Sequence, residues 1–235
     1  MNTSVLQQSL DELLHHLRQD LIEPSGADAR AQQRYEQLEA VRLRIGRALA
    51  ADPGLAVRTA DRVLPLLVLD TNLTSQLAFP LIAALGRRPV LAFLITRAGS
   101  GGSAARANAC AAAYWVGVWR PNHRRDGIIA AVRQGTLAGD QARALLEHDA
   151  QHPCWRPEDR VDDLWPALWR AAAEAFVRCP EEQPRLRLQC AFPLEPDRYP
   201  AADAPLLARV RAVAEAQPEL YRRLLAGSSG YGLPG

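Results

Sequence analysis

Apolar residues recur at helical spacing through most of the chain. Leucines return every three or four positions between residues 3 and 22, and the proline-containing segment 23–26 follows them. A second amphipathic stretch covers residues 29–51 and stops at Asp52, Pro53 and Gly54. This periodicity predicts two helices joined by a short turn, an N-terminal helical hairpin over residues 1–52.

Beyond residue 54 the predicted helices become shorter, and turns of small or polar residues separate them. Three units of apolar helix, turn and second helix are predicted over residues 63–85, 90–119 and 164–192. Their second helices are predicted at residues 74–85, 103–119 and 185–192. Four further helices are predicted at residues 126–134, 139–149, 204–216 and 218–225. No segment alternates apolar and polar residues long enough to form a strand, so the pattern predicts an all-α protein.

The units between residues 60 and 120 resemble HEAT or armadillo-like helical repeats, in which helix pairs bury a core only by stacking. The resemblance implies an α-α superhelix, a solenoid of stacked antiparallel helix pairs. We therefore expect a single all-helical domain over residues 1–235. Within it, the hairpin at 1–52 precedes degenerate repeats at 55–225 and a flexible tail at 226–235.

The same resemblance implies a function. Second helices of such repeats line a concave face, so the expected function is that of a non-catalytic scaffold binding a protein or peptide partner there. Some HEAT-like proteins are DNA glycosylases, and a nucleic-acid-binding or DNA-repair function is the alternative. The sequence contains no Gly-x-Ser-x-Gly nucleophile motif. We predict neither a catalytic residue nor a cofactor.

Composition narrows the class of partner. The 28 basic residues are all arginine and face 26 acidic residues, so the formal net charge is only +2. A dedicated nucleic-acid binder usually carries a stronger positive charge, which makes nucleic acid the less favoured partner. No apolar run approaches the length of a membrane span, so no membrane association is expected. Four scattered cysteines and the absence of a recognisable leader favour the cytoplasm.

The densest positive stretch follows the predicted helix at 103–119. It provides Arg120, His123, Arg124 and Arg125 as donors for a carboxylate or phosphate, beside Trp119 as an aromatic anchor. Arg106, near the start of the same helix, completes the predicted contact surface. In the family, an arginine at that position often bonds internally to the neighbouring turn instead.

Two weaker patterns suggest other chemistry. His148, His152 and Cys154 have the residue types of a zinc site, and a zinc-dependent hydrolase is the third hypothesis. We expect the helix to end near Asp149, which would separate these ligands, and predict no structural metal. The glycine-rich turn at residues 99–103 precedes a helix, where a phosphate can bind, but it lacks the Lys-Ser/Thr of a phosphate loop.

Overall fold

The computed structural model describes residues 29–69, 75–121, 125–151 and 155–227, together with positions 8 and 11. These residues are helical or form turns, and no strand occurs among them, so the described protein is all-α. The helices are α1 (Ala29–Ala51), α2 (Pro53–Arg58), α3 (Ala60–Val63), α4 (Leu66–Leu69), α5 (Ser75–Leu85), α6 (Arg87–Ser100), α7 (Ser103–Val118), α8 (Arg125–Arg133), α9 (Gly139–Gln151), α10 (Trp165–Arg178), α11 (Glu182–Leu188), α12 (Ala204–Glu215) and α13 (Arg222–Leu225).

The long helix α1 has the bounds that its periodicity predicts, and it packs on α5. Gly46 permits this close approach, because a Cβ there would collide with the carbonyl oxygen of Gln76. The predicted helix at residues 3–22 lies outside the described residues except for positions 8 and 11. Position 11 places the Asp11 carboxylate 3.2 Å from the Arg62 guanidinium.

Helices α6 and α7 form the centre of the molecule. The sequence places a turn at residues 99–102, but α6 continues through Gly99 and Ser100, and the turn contains only Gly101 and Gly102. Alanines dominate α7, and Ala109 and Ala112 are almost fully buried. Small side chains let helices approach α7 closely on several sides. Helices α4, α5, α6, α10 and α11 all contact it.

The second helices of the three predicted units meet at α7, which contacts both α5 and α11. Of the first helices, α6 contacts α10, whereas α4 contacts α7. Asn108 on α7 bridges this packing, because its amide donates to the Val68 carbonyl and its side-chain oxygen accepts from Arg187. The buried polar group is thus satisfied by two neighbouring segments.

The third predicted unit differs in detail from its prediction. Its second helix is α11, which begins three residues before residue 185 and ends at Leu188, so residues 189–192 continue as turns. After it, Phe176 packs its ring against Phe192 and Tyr221, which ties the C-terminal turns to α10. Residues 218–221 form turns before α13 rather than helix, and most of the predicted tail, 228–235, lies outside the described residues.

Helices α8 and α9 form a hairpin with a locally encoded turn. Gly135 has a φ of 70° and donates its N–H to Val132, while the Thr136 N–H donates to Ala131. These two bonds make the Schellman motif that ends a helix with a left-handed glycine. Helix α9 extends two residues beyond its predicted end at Asp149. None of the described helices is both long and apolar enough to cross a membrane.

Candidate functional site

Two arginine side chains lie over the ring of Trp155 at one end of the α6–α7 pair. The guanidinium carbon of Arg87 is 4.6 Å from the centroid of this ring, and that of Arg120 is 5.8 Å away. Both distances fall within the range of cation–π attraction. The ring of Trp119 completes the group, with its centroid 6.2 Å from that of Trp155. We call Arg87, Trp119, Arg120 and Trp155 the arginine–tryptophan cluster.

Arg87 is the buried member of this cluster. It is 7% exposed, and its Nε donates to the Val116 carbonyl at 2.9 Å while its Nη1 donates to the Asp159 carbonyl at 3.2 Å. Burial, and then the positive charge of Arg120, lower the pKa of Arg87, whereas Asp162 and Asp159 act in the opposite direction. Arg87 therefore links the end of α7 to the segment after Trp155 by hydrogen bonds. The positive charge of Arg120 repels its guanidinium.

The segment after Trp155 is held against the start of α6. Gly86 has a φ of 87° and a ψ of 162°, and a Cβ there would lie 2.8 Å from Cγ of Glu158. Only glycine fits this backbone and this contact. The fully buried carboxylate of Asp159 accepts from the backbone N–H of Arg87 at 3.4 Å and from Nε of Arg156 at 3.1 Å. These bonds set the position of Trp155.

Arg120 is the exposed cation of the cluster. Its Nη1 donates to the carbonyls of Gly117 at 2.8 Å and Trp119 at 3.0 Å, at the C-terminal end of α7. No carboxylate of the described residues pairs with it. An exposed guanidinium that is oriented by carbonyl groups keeps donors available for an external carboxylate or phosphate.

The aromatic surface at this end belongs to Trp155 more than to Trp119. Trp119 is 8% exposed and belongs to the hydrophobic core, whereas Trp155 is half-buried. Of the two tryptophans, Trp155 is therefore the one that a partner bound to Arg120 can contact. His123 and Arg124 lie outside the described residues, as does the side chain of Arg125. Their role as contacts stays a prediction.

Arg106 is far from this end of α7. It lies 14 residues before Arg120, about 21 Å along a helix, and its Nε donates to the Gly101 carbonyl at 2.5 Å. This is the internal bond to the neighbouring turn that the repeat resemblance offers as the alternative. Arg106 also lines a cavity of about 210 Å³ beside Gly102 and Arg178. The structure thus separates Arg106 from the predicted surface and does not group it with Arg120.

The prediction of no structural metal rests on a helix end that lies two residues later in the structure. Because α9 continues to Gln151, the predicted break near Asp149 is wrong by two residues. The His148 side chain is 66% exposed, and its Nδ1 lies 3.7 Å from the Asp149 carboxylate. Among the described residues no group of three or more His, Cys, Asp or Glu side chains can hold a metal, and His152 and Cys154 lie outside them.

The sequence does not identify Arg87 as part of the site. A glycine followed by Arg87, Arg88 and Pro89 indicates only the start of a helix. Asp159 reaches Arg87 only because residues 157–159 pack against α6. No local sequence pattern indicates this packing. The positive loop and the Trp155–Arg156 edge, by contrast, are recognisable in the sequence.

Comparison with family models, with curated proteins and with solved structures gives no significant match to this chain.

Proposed function

We propose that this protein is a non-catalytic helical-repeat scaffold that binds an acidic segment of a protein or peptide partner. The contact surface is formed by Arg120, Trp155 and the positive loop at residues 120–125. The observation that carries this proposal is the stacking of Arg87 and Arg120 on one half-buried tryptophan, with the exposed Arg120 guanidinium unpaired by any described carboxylate. Arginine and tryptophan are the residue types enriched at binding hot spots.

Electrostatics favour an acidic partner. The pKa of Arg87 is lowered in part by the charge of Arg120, so the two cations repel each other across the cluster. A carboxylate bound to Arg120 would reduce that repulsion, whereas a basic partner would add to it. Three further basic side chains follow at His123, Arg124 and Arg125, against the single acid Asp126. The chemistry of this surface therefore selects carboxylate-bearing segments.

The side-by-side arrangement of α5, α7 and α11 supports the HEAT-like part of the proposal. In such repeats second helices stack in one layer and first helices in the other. The contacts of α7 with α5 and α11, and of α6 with α10, support this arrangement, although α4 contacts α7. Because α7 is covered on several sides, we locate binding at its C-terminal end and not along its length. We also propose a cytoplasmic location, which the buried thiols of Cys110 and Cys179, neither of them in a disulfide, support.

The proposal is tested by selecting acidic peptides from a displayed library and titrating the best binder against purified variants. Arg120→Ala/Arg124→Ala/Arg125→Ala is expected to weaken binding at least tenfold, with circular dichroism unchanged. Arg209→Ala/Arg211→Ala/Arg222→Ala removes the same charge from exposed sites on α12 and α13 and is the matched control. It should bind within about twofold of wild type. Equal loss in both variants, or none in either, would contradict the proposal.

Single-stranded and duplex DNA, titrated in parallel, distinguish the nucleic-acid alternative. Arginines beside a stacking tryptophan also suit phosphates and bases, which is the observation that favours it. The nucleic-acid alternative would be favoured if DNA bound more tightly than the peptide. Its binding constant should then fall steeply as salt concentration rises, with a slope that corresponds to the release of several counterions. We expect DNA to bind more weakly than the selected peptide.

A further inference from the structure

The α8–α9 hairpin carries an apolar groove that the rest of the described chain does not fill. The groove has a volume of about 600 Å³, and its floor is formed by Ile128, Ile129, Val132, Ala142 and Leu146. None of these five residues belongs to the main hydrophobic core or packs against it. Val132 is 38% exposed. An amphipathic helix pair buries such a stripe only against another element.

The rim of the groove carries both signs of charge at helical spacing. Arg143 and Glu147 are exposed residues of α9, one turn apart, and both line the groove. Within the described part of the chain, neither makes an ion pair. Arg133 of α8 also lines the groove, so a purely basic partner would place like charge against Arg133 and Arg143. A partner with only acidic residues would place like charge against Glu147.

We propose that the occupant of this groove is a second copy of the chain, packed by its own α8–α9 hairpin about a twofold axis. If two α9 helices run antiparallel with the axis near Leu145, residues equidistant from Leu145 face each other. Arg143 then faces Glu147 of the second copy, and the pair is repeated by symmetry. A twofold interface requires such self-complementarity, since the same patch serves both copies.

Apolar packing agrees with the same register. Leu146 lies on the groove side of α9 one residue from the axis, so it packs against Leu146 of the second copy, with Ala142 one turn away. Two hairpins joined in this way form a four-helix arrangement. Helix α9 has 13 residues and is about 20 Å long. A contact of this length lies at the small end of specific interfaces, so the dimer is expected to dissociate at low micromolar concentration.

Sedimentation velocity over a concentration series tests the proposal. Wild type is expected to change from monomer to dimer as concentration rises. Arg143→Glu and Glu147→Arg should each weaken the dimer at least tenfold, because each places like charges opposite each other. The double variant Arg143→Glu/Glu147→Arg should restore the dimer to within about threefold of wild type.

Two controls separate this contact from other effects. Arg209→Glu makes the same charge reversal on an exposed position of α12 and should leave the dimer unchanged. Val132→Glu places a charge at an exposed position of the groove and should abolish the dimer without loss of helix content. A monomer at all concentrations, a dimer indifferent to the single reversals, or a double variant that does not recover would each overturn the proposal.

Discussion

The chain contains two helical hairpins of similar local design that differ in their surroundings. Helices α6 and α7 are joined by Gly101 and Gly102, and α8 and α9 by a turn with Gly135 in a left-handed conformation. The first hairpin is covered by α4, α5, α10 and α11, and Leu91 and Ala109 are fully buried. The second packs mainly on itself and leaves an open apolar groove.

This difference shows that caps and periodicity specify a hairpin, whereas its burial depends on side-chain size. The alanines of α7 allow neighbouring helices to approach from several directions. In α8 and α9, charged residues border a single apolar stripe, so only one face can be buried. The central hairpin is therefore the scaffold, and the outer one presents surface.

The largest expected contrast comes from truncating one leucine in each hairpin. Leu91→Ala should lower the free energy of unfolding by about 2–5 kcal/mol, because it leaves a cavity in a closed core. Leu146→Ala should cost about 1 kcal/mol or less, since Leu146 is only half-buried. Urea denaturation at low protein concentration measures both. Equal costs would remove the distinction between scaffold and surface.

Two of the three described glycines with positive φ, Gly86 and Gly135, should also respond differently. Gly86→Ala places a methyl group in a backbone region that only glycine adopts and pushes it against Glu158, at a cost of about 2–3 kcal/mol. In Gly135→Ala the added methyl group meets open space. The free energy of unfolding should therefore fall by only about 1–2 kcal/mol, the cost of placing alanine in a left-handed conformation. Thermal unfolding would contradict this order if Gly135→Ala were the more damaging change.

Overpacking provides a smaller test of the same contrast. Ala109→Leu should destabilise the protein by about 1–3 kcal/mol, because α7 has neighbours on several sides. Ala144→Leu, at an exposed position of α9, should change stability by no more than about 0.5 kcal/mol. Unchanged denaturation midpoints for Ala109→Leu would refute the tight packing of α7.

The smallest expected effect concerns metal content, which we expect to be negligible and unchanged by mutation. Protein purified without added metal should contain far less than one zinc per chain by elemental analysis, because the described neighbour of the exposed His148 ring is the Asp149 carboxylate. His148→Ala should leave that content unchanged. About one zinc per chain, lost in His148→Ala, would favour the hydrolase hypothesis instead.

Much of the fold follows from the sequence, and part of the site does. Helical periodicity predicts α1 with its bounds, and alanine content predicts the burial of α7. The local pattern misplaces the start of α11, because Pro184 lies in its first turn and reads as a break. For the site, the charge of the 120–125 loop is visible in the sequence. The stacking of Arg87 on Trp155 depends on tertiary packing, so no periodicity or motif indicates it.

Hydrogen–deuterium exchange with and without the selected acidic peptide locates the contact surface without a mutation. We expect slower exchange at residues 119–125 and 155–156 on binding, with α12 and α13 unchanged. The central hairpin should already exchange slowly in the free protein. Protection confined to another surface, with residues 119–125 and 155–156 exchanging as in the free protein, would contradict the proposed contact surface.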